Sequence, residues 1–259
     1  MPSLAATVYP TLTHDPVGLF DESVAFARSL PRQTMHAHYI ALFGWLAKLL
    51  GKQAWLERSG LSMRWLPEWR QIFPEARYLH IHRSGVEAAL SMMNHPWFVL
   101  SSQYENTPPT REEIERAVQS CSKSIDDPVG RFYHDKPPIE YFGWNWSYAM
   151  LRGFREFQHI NRDQLTDIRF ERLMADPVRE LTRLAAFFDL PEDEGWIERA
   201  AGLVKADVPG RAHKLDPQDR EKLEQACLPG DVLTGRRDPN RLMETYHTIR
   251  EVRPRTRFD

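Results

Sequence analysis

The chain has 259 residues, 42% hydrophobic and 27% charged, proportions that exclude disorder, collagen-like and coiled-coil architectures as its main organisation. Lys and Arg number 34 against 36 Asp and Glu, so the basic excess of a nucleic-acid-binding protein is absent and an anionic ligand must be met by a local group of cations. The two cysteines, Cys121 and Cys227, support neither a disulfide framework nor a multi-cysteine metal site, which fits a reducing, cytoplasmic compartment.

The first stretch, Met1 to Pro16, is weakly patterned and carries no cationic stretch followed by an apolar core, so no signal peptide is expected. Asp21 is the predicted cap of a helix through Phe26 and Ala27. Met35, Tyr39, Leu42, Phe43, Leu46 and Leu50 recur at helical steps, predicting a helix over Gln33 to Leu50 that Gly51 ends. The apolar run from Tyr39 to Leu50 is interrupted by Lys48 and is short of the about 20 residues a membrane span needs. Gln53 to Glu57 reads as a short buried strand ending at Arg58-Ser59-Gly60. Leu61 to Phe73 reads as a helix interrupted at Pro67. Arg77 to His82 is a strand by its aromatic and β-branched content.

Ser84 followed by Glu87 predicts a capping box, with Val86, Ala89, Leu90 and Met93 as the inner face of the helix it opens. Residues 94–135 read as an insertion or lid with a charged helix over 111–123. An aromatic-rich helix is predicted over Tyr141 to Phe157 and a third strand over Thr166 to Phe170. Asp176-Pro177 predicts the start of a further helix, with Leu181, Leu184, Ala185 and Phe188 inside. Pro191 to Asp259 is mixed, with a helix around Pro217 to Ala226. Strands alternating with helices predict an α/β fold, a parallel sheet flanked by helices, in one domain spanning 1–259. Ligands of such sheets bind beyond the carboxyl ends of the strands.

One such end carries Arg83-Ser84-Gly85 between a strand and a helix, with Ser91 eight residues after Arg83. A helix N-terminus offers N–H groups to an anion, and arginine adds a charge and a fork of donors. The alternative is an Arg83 paired with a surface carboxylate and a Ser91 that is only a small helix residue. His80 and His82 share one strand face but have no third ligand beside them, so no metal site is expected.

Three stretches give this pattern a context: Trp55 to Gly60, Phe73 through Ser91, and Ile168 to Pro177 with Leu184, Phe187 and Phe188 following. In that order they resemble the sulfotransferase family, whose donor is 3′-phosphoadenosine 5′-phosphosulfate (PAPS). The resemblance implies a three-layer P-loop-like fold. It implies that Arg83 and Ser91 hold the 3′-phosphate. Arg58 stands where the family has a lysine that contacts the transferring sulfonate. Gly210, Arg211 and Lys214 lie where the family has a loop with cations over the nucleotide; an exposed basic loop is the alternative. A proton acceptor is sought in His36 or His38. Trp97, Tyr104, Tyr141 and Trp144 are read as walls of an acceptor pocket, or else as core, as are Phe98 and Trp146.

The family's 5′-phosphosulfate loop has no counterpart in the sequence. The nearest segment, Gly51-Lys52-Gln53, lacks a Ser or Thr after the lysine and lies between a predicted helix and strand, the reverse of the order required. Met1 is therefore expected to fall after that loop, and the chain is expected either to fill the gap with a short strand from Leu4 to Tyr9 or to be poorly stable and inactive. The implied activity is transfer of a sulfuryl group from PAPS to a hydroxyl or amine of a small molecule, lipid or glycan, leaving 3′-phosphoadenosine 5′-phosphate (PAP) and needing no metal. The rival reading is a non-catalytic, truncated or degenerate member that binds a nucleotide or a protein. A kinase is disfavoured, because no Gly-Lys-Ser/Thr loop is present.

Overall fold

The computed structural model describes residues 8–58, 62–95, 98, 137–191, 193–204 and 210–238. Trp97, Tyr104, nearly all of the expected insertion with its helix over 111–123, and all of Leu4 to Tyr9 except Val8 and Tyr9 lie outside the described residues. The chain divides into two compact units, Met1–Ala76 and Arg77–Asp259.

In the first unit, helix α1 (Pro16–Ser29) is capped by Asp15, whose side chain accepts the Gly18 N–H at 2.9 Å. Pro16 occupies the first position, where its missing N–H costs nothing. Asp21, the expected cap, sits inside this helix; the pair Asp15-Pro16 is the stronger start signal. Helix α2 (Met35–Leu49) begins where Thr34 Oγ1 accepts the Ala37 N–H at 3.2 Å. Gly51, at φ +63°, turns the chain away after it. A 3₁₀ turn (Ser62–Trp65) leads into α3 (Leu66–Ile72), with Pro67 in its first turn rather than breaking it. Tyr9, Leu19, Leu42 and Leu46 form the buried core of this unit. Tyr9 donates its hydroxyl to Ser23 Oγ at 2.9 Å, and Phe26 stacks on Trp45 at 4.8 Å.

The strand expected at Gln53 to Glu57 does not form. That segment is irregular and Leu56 is 66% exposed. Trp55 alone is anchored, stacked on Phe43 at 4.7 Å and edge-on to Phe73. An extended segment becomes a strand only with a neighbour to take its backbone groups, and among the described residues the sheet consists of two other strands.

Those strands lie in the second unit. β1 (Tyr78–His82) pairs in parallel with β2 (Leu165–Arg169), with His82 opposite Arg169 at the carboxyl end. The crossover between them contains α4 (Gly85–Met93) and α5 (Ile139–Phe157). After β2 come α6 (Phe170–Ala175), α7 (Pro177–Phe187), α8 (Glu194–Gly202) and α9 (Pro217–Leu233). The α/β class is as expected: a parallel two-stranded sheet flanked by helices. Asp176 caps α7 by accepting the Arg179 N–H at 3.1 Å. Phe170 opens α6 instead of extending the strand. No described helix is long and apolar enough to cross a membrane.

Helices α4, α5 and α9 pack on one another through Trp146. A Cβ on Gly85 would stand 2.5 Å from Trp146 Cζ3, and one on Gly230 would stand 2.8 Å from Trp146 Cε3. Only glycine leaves room for the indole at these two positions. Trp146, 6% exposed, is thus a core residue.

Helix α9 continues past Pro229, beyond the end its sequence predicts. Proline removes one helical hydrogen bond and crowds the preceding turn. Ser147 of α5 compensates: its hydroxyl donates to Ala226 O at 2.7 Å and accepts the Gly230 N–H at 3.4 Å.

Candidate functional site

The sheet register brings both strands to an end on cationic residues. Arg169 closes β2 opposite His82, and Arg83 follows His82 directly. The Arg169 guanidinium is committed to backbone, donating to Thr234 O at 3.0 Å and Gly235 O at 3.1 Å. Arg83 is half-buried, and among the described residues no hydrogen bond or ion pair engages its guanidinium. Burial lowers its basicity first, and the nearby charge of Arg211 lowers it further; Glu87 and Glu171 act in the opposite sense.

The start of α4 departs from the expected capping box. Ser84 makes no side-chain cap bond. Glu87 reaches elsewhere, accepting the Ala212 N–H at 2.9 Å across 125 residues of chain. The amides expected to stand open for an anion are also taken. Ser84 N–H donates to Glu171 Oε1 at 2.9 Å, and Gly85 N–H donates to Asp231 Oδ1 at 3.1 Å. Carboxylates at a helix N-terminus are favoured for the same reason as a phosphate. The anion-attracting charge at this corner therefore comes from side chains.

Arg236 balances both carboxylates. It lies 2.6 Å from Glu171 Oε2 and 4.0 Å from Asp231 Oδ1, and it donates to His82 O at 3.3 Å. Burial raises the Asp231 carboxyl above its ordinary range and depresses the Arg236 guanidinium. Sequence reasoning missed Glu171, Asp231 and Arg236. Glu171 meets Ser84 and Arg236 across 87 and 65 residues, Asp231 meets Gly85 across 146, and Arg236 reaches His82 across 154, so no local spacing signals these contacts.

The segment from Gly210 through the 3₁₀ turn Ala212–Lys214 lies against α4. Glu87 holds it from one side, and Arg220 Nη2 donates to Ala212 O at 2.7 Å from the other. Arg211 and Lys214 are both exposed on this segment, and the charge of Arg211 is near enough to Arg83 to lower its basicity. Ser91 is half-buried on α4, about two turns along from Arg83. Tyr141 and Trp144 are half-buried on α5, with the Tyr141 ring edge-on to Phe142 at 5.4 Å.

The other expected site residues belong to the first unit. Arg58 is exposed at the end of the irregular segment. His36 donates Nδ1–H to Ile72 O at 2.7 Å, with Nε2 3.6 Å from Glu75 Oε1. His38 is half-buried on α2, with neither ring nitrogen hydrogen-bonded to a described residue.

His80 and His82 do share the inner face of β1, their rings stacked at 4.9 Å. His80 also packs on Phe154 and Phe157. Burial, with the neighbouring His82, lowers the His80 pKa to about 4. Burial likewise lowers His82, against the hydrogen bond from its Nε2 to Asp167 Oδ2 at 3.3 Å. Among the described residues no three His, Cys, Asp or Glu side chains are grouped to hold a metal ion. The buried Cys227 thiol, raised by burial, is a packing group beside Gly85 and Gly143.

A sequence profile of the Sulfotransferase family matches residues 16–194, well over half of the chain. No curated protein and no solved structure gives a significant match.

Proposed function

The chain belongs to the sulfotransferase family, and we propose that it transfers a sulfuryl group from PAPS to a hydroxyl or amine of a small molecule, lipid or glycan. The observation that carries this reading is the half-buried Arg83 just beyond the carboxyl end of β1, its guanidinium engaged by no hydrogen bond or ion pair among the described residues, with the charge of the exposed Arg211 close enough to lower its basicity. Like charges near one another raise the energy of the empty state, and a phosphate dianion lowers it. Two guanidinium forks suit the oxygens of such a group.

When bound, the donor supplies the sulfuryl group and departs as PAP with the electron pair of the broken sulfur–oxygen bond. In this reading Arg83 and Ser91 hold the 3′-phosphate, assisted by Gly210 and Arg211, with Lys214 over the nucleotide. Arg58 opposes the negative charge that grows on the leaving phosphate. The acceptor oxygen or nitrogen forms the new bond to sulfur and gives up its proton. His38 is the better candidate to take it, because His36 is engaged by Ile72 and Glu75. Tyr141 and Trp144, with Trp97 and Tyr104, form the acceptor walls. Two cysteines and no disulfide framework favour action in the cytoplasm.

The test is a transfer assay with PAPS and a panel of phenols, alcohols, amines, glycolipids and oligosaccharides. Acceptor-dependent release of PAP with a sulfated product supports the reading. Tight PAP binding without transfer to any acceptor would favour the non-catalytic alternative.

A further inference from the structure

Glu87 has no part in the sequence argument except as half of a capping box it does not form. Its surroundings give it another task. Oε1 accepts the Ala212 N–H at 2.9 Å and stands 3.0 Å from where a Cβ on Gly210 would lie. The carboxylate therefore holds Ala212 by a hydrogen bond and lies close to Gly210, the two residues that flank Arg211. On its own helix, Glu87 precedes Ser91 by four residues, so the two share one face of α4, and Arg83 lies just before the helix begins. Its negative charge favours the Arg83 guanidinium, which the charge of Arg211 disfavours.

We infer that Glu87 is a positioning residue: it fastens the 210–212 backbone against α4, the helix that follows Arg83, so that Arg211 is held where it acts with Arg83 to select nucleotides bearing a 3′-phosphate. This rests on the donor reading above. Three features support it. The hydrogen bond spans 125 residues and has no local reason to exist. Ala212 is held a second time, through its carbonyl, by Arg220 at 2.7 Å, so the turn is fixed at both ends of one residue. Gly210 brings the backbone close to the carboxylate: a Cβ there would stand 3.0 Å from Oε1 and shift it by a few tenths of an ångström.

Glu87 also lowers the mutual repulsion of the two arginines while the site is empty. A residue that only stabilised α4 would have no connection to nucleotide selectivity. One that acts through Arg211 loses its effect when Arg211 is gone.

The experiment is a double-mutant cycle read by calorimetric titration of PAP and, in parallel, adenosine 5′-phosphate. Arg211→Ala and Glu87→Ala should each weaken PAP binding by about tenfold, the scale of a charge-assisted hydrogen bond. The double variant should be no weaker than either single one. Adenosine 5′-phosphate should bind all four proteins alike. Glu87→Gln keeps an acceptor oxygen for Ala212 and should retain most of the PAP affinity. Amide exchange at Ala212 should quicken in Glu87→Ala and not in Glu87→Gln. Additive losses, or PAP affinity unchanged in Glu87→Ala while Arg211→Ala is weakened, would overturn the inference and leave the donor reading standing. Wild-type protein that binds no PAP would overturn both.

Discussion

Asp231 Oδ1 accepts the backbone N–H of Gly85 at 3.1 Å, joining the start of α4 to the far end of α9 across 146 residues. The bond fills a place at the end of β1 where the sequence suggests an open amide. It also explains why a carboxylate is kept in a buried position. Gly85 is the buried first residue of α4, where no helical carbonyl reaches its N–H, so that group must be satisfied by an acceptor from another element.

Asp231→Ala should therefore destabilise the protein by about 1–3 kcal/mol, the cost of leaving a buried donor unsatisfied. Asp231→Asn keeps the acceptor and removes a charge that burial opposes. The raised Asp231 carboxyl contributes stability at acid pH, and this is lost as pH rises through its elevated folded value. The Asn variant should thus come closest to wild type at neutral pH and fall behind it in acid. Denaturant melts at both pH values check this; equal losses for Ala and Asn at neutral pH would contradict it.

The histidine pair predicts an acid limb of stability. With a folded pKa depressed from 6.5 to about 4, His80 stays neutral in the fold while the unfolded chain takes up a proton. Its contribution is present above 6.5, declines below it and is lost near pH 4, on the order of 3 kcal/mol in all. His82 adds to the slope in the same direction. His80→Phe keeps a ring against Phe154 and Phe157 and removes the buried Nε2, which has no partner among the described residues. Thermal melts from pH 7 to pH 4 should show a markedly flatter profile for the variant. An unchanged slope would place the acid sensitivity elsewhere.

In the proposed reading Arg58 acts on the transferring group rather than on affinity. In an active preparation, Arg58→Ala should lower kcat much more than it raises KM, the pattern of an interaction made mainly in the transition state. A change confined to KM would reassign Arg58 to substrate binding. Lysine at this position should retain activity, since a compact ammonium also stabilises the developing charge.

The elements legible in the sequence are those with local signals. The period of α2, the aromatic and β-branched content of β1 and the Asp176-Pro177 start of α7 are each complete within a few residues. That His80 and His82 share one face of β1 follows from the two-residue repeat alone; that this face is the buried one depends on Phe154 and Phe157 of another helix. The failures are places where distant residues decide. Gln53 to Glu57 has strand composition and no strand beside it among the described residues. Helix α9 outlasts Pro229 because Ser147, from another helix, bridges the interrupted turn. The Ser84–Glu87 spacing fits a capping box, yet Glu87 binds Ala212, and Glu171 takes the Ser84 amide. At the candidate site, Arg83 and Arg211 were legible through their resemblance to a family. Asp231, Glu171 and Arg236 were not, since their arrangement exists only once β1, β2 and α9 are assembled. Helix α8, capped by Asp193 through the Trp196 N–H at 3.1 Å, carried a local signal that its weak apolar pattern obscured.

The central claim is that Arg83 binds the 3′-phosphate of the donor nucleotide. It is tested most directly by calorimetric titration of PAP into wild type and Arg83→Ala, with adenosine 5′-phosphate as the control. The account predicts a loss of about 1.5–3 kcal/mol in PAP binding for the variant, the scale of a hydrogen bond to a charged group, and no change for the control nucleotide. Equal PAP affinity in the two proteins, or an equal loss for both nucleotides, would contradict it.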